Sequence, residues 1–162
     1  DVIKSPIKNI SVSGVSIVSP TPDITNARIE FENGSVANLT ASRLSLKNMR
    51  RHRFFQKDAY ITVDFLDKKT DIVRINDIEG ILSPLAMTID LADGTSKQIT
   101  IEQPEVTPIN AIMTEIESFH NAIINNTEPP VTIHDGVLAL KVCYMILEEI
   151  EKNQQIVKNN LK

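Results

Sequence analysis

Residues 26–65, NARIEFENGSVANLTASRLSLKNMRRHRFFQKDAYITVDF, decide the fold. The stretch opens with alternating apolar and polar side chains, the pattern of a half-buried strand. The apolar members of that strand are Ala27, Ile29 and Phe31. Asn33 and Gly34 follow, the pair preferred in a two-residue type I′ turn, where both residues take positive φ. The pattern predicts an antiparallel hairpin whose return strand covers residues 35–44.

Further strands are predicted on both sides of this hairpin. In the preceding strand the apolar alternation changes phase at Gly14, which predicts a β-bulge there. Asp93 and Gly94 predict a second hairpin. The links are too short for crossover helices, so we expect antiparallel pairing. The predicted later strands cover residues 53–57, 59–66, 71–75, 85–91 and 97–102.

The last third of the chain changes to helical spacing. Thr107 followed by Pro108 predicts an N-cap and first helical residue, and the asparagines at 125–126 mark the end of that helix. Its apolar stripe is Ile109, Ile112, Met113, Ile116, Phe119 and Ile123. Thr132 and Asp135 have the spacing of a capping box. The helix that follows is broadly apolar, and we expect it to be well buried.

Strands first and helices last predict an α+β fold. We expect residues 1–162 to form one domain, an open, predominantly antiparallel β-sheet with C-terminal helices packed on one face. The other face of the sheet mixes polar and apolar residues. Such a face is typical of an oligomer interface, although scattered surface apolar residues are also ordinary. The apolar residues on that face are Val36, Leu44, Tyr60 and Leu66.

Composition excludes few functions. The formal net charge of −4 gives no general attraction to nucleic acid or anionic membranes, and we predict neither as a partner. Cys143 is the single cysteine, so no intramolecular disulfide can form, which favours a cytoplasmic setting. We expect Cys143 to be buried within its helix.

Motifs for chemistry are absent from the sequence. There is no glycine-rich phosphate loop of either common type, so we predict no nucleotide cradle here. His52, His120 and His134 lack the spacing of metal ligands, and we predict no metal site. We expect His120 to be half-buried beside the apolar stripe and His134 to serve at a helix start.

A basic segment stands out from this acidic chain. Its cations fall within residues 43–53 with no acidic residue among them: Arg43, Lys47, Arg50, Arg51 and Arg53. Guanidinium groups suit phosphate and carboxylate ligands. We predict that Arg43, Lys47 and Arg50 bind substrate. The segment could instead be a solvated loop, or its cations could pair with Glu30 and Glu32 across the hairpin.

Two segments resemble Gfo/Idh/MocA-type oxidoreductases. Residues 23–43, DITNARIEFENGSVANLTASR, resemble the part of the family that follows its substrate-facing His motif. Residues 115–142, EIESFHNAIINNTEPPVTIHDGVLALKV, resemble the late helix, proline and capped helix of the family. The matching positions in the second segment are Phe119, Ala122, Ile123, Pro130, Asp135, Gly136, Ala139 and Leu140.

The resemblance implies a function for a larger protein. The family joins an N-terminal Rossmann domain, which binds NAD or NADP and carries a catalytic Lys in an E-K-P motif, to a C-terminal sheet domain. That second domain shapes the substrate pocket and mediates oligomerisation. This chain has neither Rossmann fingerprint nor E-K-P motif. The resemblance therefore implies a C-terminal substrate-binding and assembly domain, a fragment that binds no cofactor and holds no catalytic residue.

The intact protein is then expected to transfer a hydride between NAD or NADP and a carbinol carbon of a sugar or nucleotide-sugar. The chain alone is expected to be inactive, and the protein to form a homo-oligomer through the open sheet face. Two alternatives stay open. One is a non-enzymatic module that assembles partners through that face. The other is a nucleic-acid-binding domain that uses the basic segment, whose affinity would fall steeply with salt.

Overall fold

Antiparallel sheets followed by two helices make up the α+β fold, as predicted. The computed structural model describes residues 2–78 and 87–160. Within them the elements are β1 (Ile7–Val15), β2 (Ile24–Phe31), β3 (Val36–Ser42), β4 (Arg51–Phe55), β5 (Ala59–Asp64), β6 (Lys69–Asp77), β7 (Met87–Asp90), β8 (Ser96–Glu102), α1 (Ala111–Ile124) and α2 (Ile133–Asn160). The predicted strand 85–91 begins with Leu85, which lies outside the described residues.

The chain divides into two units, one formed by Asp1–Leu46 with Ile112–Lys162 and the other by Lys47–Ala111. The described strands form two sheets rather than the one expected. The first unit holds the order β1-β2-β3 and the second the order β4-β5-β6-β8-β7, with antiparallel pairing throughout. A single domain over residues 1–162 stays a prediction.

The core of the first unit lies where α2 packs on β1. Ile150 of α2 is 2% exposed, and Ala27 and Ile29 of the central strand β2 are buried with it. Asn153, one turn further along α2, donates its side-chain amide to the carbonyl of Val12 in β1 at 3.0 Å. An apolar contact and a polar one therefore fix the end of the helix on this strand.

Gly14 is needed for that helix contact and not for a bulge. The pairing of β1 with β2 runs without interruption through Gly14, and its irregularity falls between Ile7 and Asn9. A Cβ built on Gly14 would lie 2.9 Å from both Cδ1 and Cγ2 of Ile150. The uninterrupted pairing shows that the predicted bulge at Gly14 is wrong. The glycine serves instead to make room for α2, because it has no side chain.

Both predicted hairpins are present, but the turn is not the type I′ turn expected at Asn33. The Gly34 amide donates to Phe31 O at 3.0 Å, and Gly34 has φ of 84° whereas Asn33 is not among the residues with positive φ. This is a three-residue loop with glycine at the left-handed position. The loop before β8 is of the same kind, since the Gly94 amide donates to Leu91 O at 3.0 Å and Gly94 has φ of 82°.

The two helices begin and end at recognisable signals. The capping box is confirmed: the Thr132 amide donates to Asp135 Oδ2 at 2.9 Å, and the Asp135 amide donates to Thr132 Oγ1 at 3.2 Å. The predicted start at Thr107 is wrong, since α1 begins at Ala111, directly after Asn110, a residue type well suited to an N-cap. After α1, Asn126 takes φ of 50° and ends the helix in the left-handed conformation.

Burial of the helices differs most from expectation. Several apolar residues of α2, among them Val137 and Tyr144, are exposed, because in the described structure this helix packs mainly through the Ile150 end. Cys143 and His120, expected to be buried and half-buried, are also exposed. No helix in residues 2–78 and 87–160 is long and apolar enough to span a bilayer.

The loop between β1 and β2 closes around a buried acid, Asp23. One carboxylate oxygen, Oδ2, accepts the backbone N–H groups of Ile17 at 2.7 Å, Val18 at 2.8 Å and Ser19 at 3.2 Å. The other, Oδ1, accepts the hydroxyl of Ser19 at 2.8 Å. The N–H groups of Ile17 and Val18 are the main reason that the pKa of Asp23 lies well below its ordinary value.

We predict that Gly14→Ala destabilises the protein by about 1–3 kcal/mol, the usual cost of overpacking a core. The new methyl group would collide with the stiff, β-branched Ile150. Chemical denaturation measures the loss. Gly136→Ala is the control, because a Cβ there meets no atom within 4 Å. Adding Ile150→Val to Gly14→Ala should recover part of the loss, and no recovery would contradict the proposed collision.

We predict that Asp23→Asn lowers the melting temperature by several degrees at neutral pH. The folded-state pKa of Asp23 is depressed, so its stabilising effect is complete above the unfolded value of about 3.9. It is lost as the pH falls through the folded-state pKa. The difference from the wild type should therefore shrink below about pH 4 in melting curves recorded at several pH values. Asp58→Asn, at an exposed position, is the control, and a difference independent of pH would contradict the prediction.

Candidate functional site

The residues predicted to bind substrate are divided between the two units. Arg43 follows the last residue of β3 in the first unit, while Lys47 and Arg50 precede β4 in the second. All three are exposed. Each is therefore described within its own unit.

Arg43 is tied to the Asp23 loop by several contacts. Its Nε lies 3.3 Å from Asp23 Oδ1, in an ion pair whose acid has no exposed side-chain surface. Its backbone N–H donates to Asp23 O at 3.0 Å, and its Nη2 donates to Pro22 O at the long distance of 3.5 Å. The Arg43 side chain remains 56% exposed. One edge of the guanidinium group therefore faces the loop and the rest faces solvent.

Asp23, the acid that Arg43 contacts, is not one of the partners predicted from the sequence. Glu30, one of the two acids considered as a partner across the hairpin, pairs instead with Arg28 at 3.2 Å. Asp23 lies twenty positions before Arg43, next to two prolines that mark only a loop. The register of the hairpin is the signal that points to Asp23. Ile24 pairs with Ser42, so Asp23 and Arg43 are the next residues beyond this pair.

Arg51, although part of the basic segment, is held within the second sheet. Its Nε and Nη2 both donate to Asp64 Oδ2, at 2.9 and 2.6 Å. Asp64 Oδ1 accepts the backbone N–H groups of Leu66 and Asp67. The pKa of Asp64 lies below its ordinary value, mainly because of the hydrogen bond from the Asp67 N–H and next because of the one from Arg51. The hydrogen bond to Asp64 in turn raises the pKa of Arg51. Arg51 therefore has a structural role.

The other cations of the segment have no such partner in the part of the chain that the structure describes. Among the ion pairs of residues 2–78 and 87–160, none involves Lys47, Arg50 or Arg53. Exposed cations without an internal partner are available to an anionic ligand. Arg43, Lys47 and Arg50 thus remain candidates, with the difference that Arg43 contacts Asp23 and Pro22, whereas no ion pair of the described residues involves the other two.

A shallow groove of about 400 Å³ lies on the sheet of the first unit. Side chains that can donate and accept hydrogen bonds predominate around it. They include a Thr40 hydroxyl that donates to Asn26 Oδ1 at 2.9 Å. The lining residues are Ser11, Val12, Ser13, Asn26, Ala27, Arg28, Asn38, Leu39 and Thr40. This groove is open and lined by both polar and apolar side chains, and it contains none of the three predicted substrate residues.

The described residues do not fit a dinucleotide. A Rossmann site needs parallel strands and a glycine-rich turn that leads into a helix. Every strand pairing described is antiparallel, and Asn110 and Thr132, not glycines, precede the two helices. Nor does any group of three or more His, Cys, Asp or Glu side chains in the described part of the chain have the arrangement of a metal site.

Comparison with known proteins connects this fold to dehydrogenases. The chain is 32% identical over 117 residues to UDP-N-acetylglucosamine 3-dehydrogenase of Acidithiobacillus ferrooxidans, an alignment that covers 71% of this chain and 33% of that protein. The chain thus spans about a third of the length of this curated relative. No family model matches the chain.

Solved structures give the same result. A structure of UDP-N-acetylglucosamine 3-dehydrogenase GnnA from Acidithiobacillus ferrooxidans superposes with a TM-score of 0.74 at 26% identity, over 91% of this chain and 43% of that one. An NAD-binding protein from Listeria innocua shares the fold, with a TM-score of 0.62 at 18% identity, over 93% and 41% of the two chains. The chain has the sequence and fold of the C-terminal domain of a Gfo/Idh/MocA-type oxidoreductase, as its motifs indicated.

Proposed function

We propose that this chain is the substrate-binding and assembly domain of an NAD(P)-dependent dehydrogenase that oxidises a carbinol of a nucleotide-sugar. One observation carries the proposal, the combined sequence and structural likeness to UDP-N-acetylglucosamine 3-dehydrogenase. The dinucleotide would be held by a Rossmann domain that this chain does not contain, so the chain alone would be inactive. We propose a cytoplasmic enzyme with no nucleic-acid or membrane partner.

The task proposed for this chain is to bind the anionic part of the substrate. A nucleotide-sugar carries a diphosphate, whose oxygens are good acceptors for guanidinium and ammonium groups. Arg43, Lys47 and Arg50 are exposed and lie close together in sequence. Arg43 of the first unit would bind a phosphate oxygen, and Lys47 and Arg50 of the second unit are proposed separately, each as a contact to an anionic group of the substrate. These three residues are the proposed substrate contacts.

The task of assembly falls to the apolar face of the second sheet. Strand register places Phe55, Tyr60, Val73 and Ile101 in one row across four strands. Phe55 is 78% exposed and stacks on Tyr60 with ring centroids 4.9 Å apart, and Ile101 is 60% exposed. An apolar row of this kind is typical of a protein–protein interface. We propose a homo-oligomer formed through this open face.

The same face supports a second candidate function, a module that assembles proteins without catalysis. Leu66 of the second unit, predicted for the mixed face, is exposed as well. Val36 and Leu44, predicted for that face too, are exposed but belong to the first unit, so the single mixed face expected from the sequence is wrong. The two candidates differ in whether the full-length protein binds and oxidises a nucleotide-sugar.

We predict that the full-length protein containing this chain reduces NAD⁺ or NADP⁺ when supplied with UDP-N-acetylglucosamine. The absorbance of the reduced nicotinamide measures turnover, and the 162-residue chain assayed alone should give none. Other UDP-sugars test the substrate class. A full-length protein that dimerises in light scattering but neither binds nor oxidises any nucleotide-sugar would exclude the dehydrogenase and favour the assembly module.

We predict that Arg43→Ala in the full-length enzyme raises the KM for the nucleotide-sugar by about ten- to a hundredfold. A hydrogen bond to a charged group is worth about 1.5–3 kcal/mol. Lys47→Ala and Arg50→Ala should each have a smaller effect, because no ion pair in the described part of the chain orients those side chains. Arg74→Ala is the matched control, an arginine paired with Glu102 at 3.0 Å. Unchanged kinetics in Arg43→Ala would give Arg43 a structural role only.

A further inference from the structure

We propose that Asp23 is a positioning residue, which holds Arg43 so that the outer end of its guanidinium group binds a phosphate oxygen of the nucleoside-diphosphate substrate. This inference rests on the proposed function and goes beyond it. It assigns a role to a buried acid that does not itself touch the substrate.

Asp23 is fixed in place by its hydrogen bonds. Its side chain has no exposed surface, and its carboxylate accepts three backbone N–H groups and the Ser19 hydroxyl, all between 2.7 and 3.2 Å. Its own backbone N–H donates to Val15 O at 2.8 Å, at the end of β1. A group held by so many short contacts is a rigid reference point at the end of the sheet.

Asp23 gives Arg43 its orientation. The Nε and Nη2 atoms form one edge of a guanidinium group, and here that edge faces Asp23 Oδ1 and Pro22 O. The third nitrogen, Nη1, makes no hydrogen bond to any residue in the described part of the chain. Because the Arg43 side chain is more than half exposed, its Nη end is accessible to a ligand.

The charge of Asp23 affects how well Arg43 can bind a phosphate. An aspartate beside an arginine normally neutralises it, which would weaken phosphate binding. Asp23 differs because its anionic charge is already stabilised by the three N–H groups and the hydroxyl. Arg43 is therefore not the only group that stabilises the buried carboxylate, and the solvent-facing end of its guanidinium group keeps N–H donors for a phosphate oxygen. An arginine held in one orientation also loses less side-chain entropy when it binds a ligand.

Steady-state kinetics of the full-length protein test the inference with Asp23→Asn, Arg43→Ala and the double variant. Arg43→Ala should raise the KM for the UDP-sugar about tenfold or more, and Asp23→Asn should raise it several-fold, with kcat within about twofold. The double variant should be no worse than Arg43→Ala, because Asp23 acts only through Arg43. Asp93→Asn is the control, a carboxylate that accepts an N–H and a hydroxyl from Thr95 without an arginine partner.

Two outcomes would overturn the inference. One is an Asp23→Asn variant with a lower melting temperature and an unchanged KM for the UDP-sugar. The other is a double variant whose KM increase is the product of the two single increases. The KM for the dinucleotide is measured in parallel, since its pyrophosphate is another source of the same anion. A rise in that KM alone would assign Arg43 to the cofactor and overturn the assignment to the sugar nucleotide.

A milder variant covers the case in which Asp23→Asn does not fold. Ser19→Ala removes the hydroxyl from Asp23 Oδ1, the oxygen nearest Arg43, and keeps the carboxylate. It should raise the KM by about two- to threefold, and no change would count against the inference. If the wild type turns over no nucleotide-sugar, the proposed function fails. Titration of UDP into the wild type and Arg43→Ala then tests the anion site alone, and equal affinities would overturn it.

Discussion

A single buried carboxylate, that of Asp23, joins the three parts of the first unit on which the candidate site depends. It closes the loop after β1 through backbone N–H groups, it stands directly before β2, and it pairs with Arg43 after β3. Burying a charge is costly unless it is well supplied with hydrogen bonds. The loop provides them, and the acid in turn restricts both the loop and the arginine to one arrangement.

The second unit uses the same physical device at a different place. Asp64, at the end of β5, accepts two backbone N–H groups from the turn that follows and two donors from Arg51 on the neighbouring strand. In both units an aspartate at a strand end binds a turn with one part of its carboxylate and an arginine with another. The difference lies in exposure. Arg51 is about one-third exposed and donates two nitrogens to its acid, whereas Arg43 is more than half exposed and presents one edge to its acid.

Local signals in the sequence were sufficient for some elements and not for others. The capping box at Thr132 and the turn at Gly34 depend on residues three or four apart, and both were predicted in place. The type of that turn differs from the prediction. Asn33 can adopt a positive or a negative φ, and the length of the loop determines which of the two it takes. The phase change at Gly14 predicts a bulge, and the sequence gives no local sign of the real constraint. The methyl groups of Ile150, which exclude a side chain there, belong to a helix more than a hundred residues later. The basic segment could be located, but its partners Asp23 and Asp64 depend on strand register, which composition does not reveal.

The helices carry the clearest sign that the described residues do not complete their own packing. The large apolar residues of the α1 stripe, from Ile112 to Ile123, are 55–70% exposed, and only Ala122 of this helix is buried. A helix of 14 residues is marginal in water without tertiary contacts. An apolar stripe with regular helical spacing gains stability only when another surface covers it. The proposed Rossmann domain is one such surface. Contact with it would link the stability of α1 to the same domain that is proposed to bring the dinucleotide to the substrate.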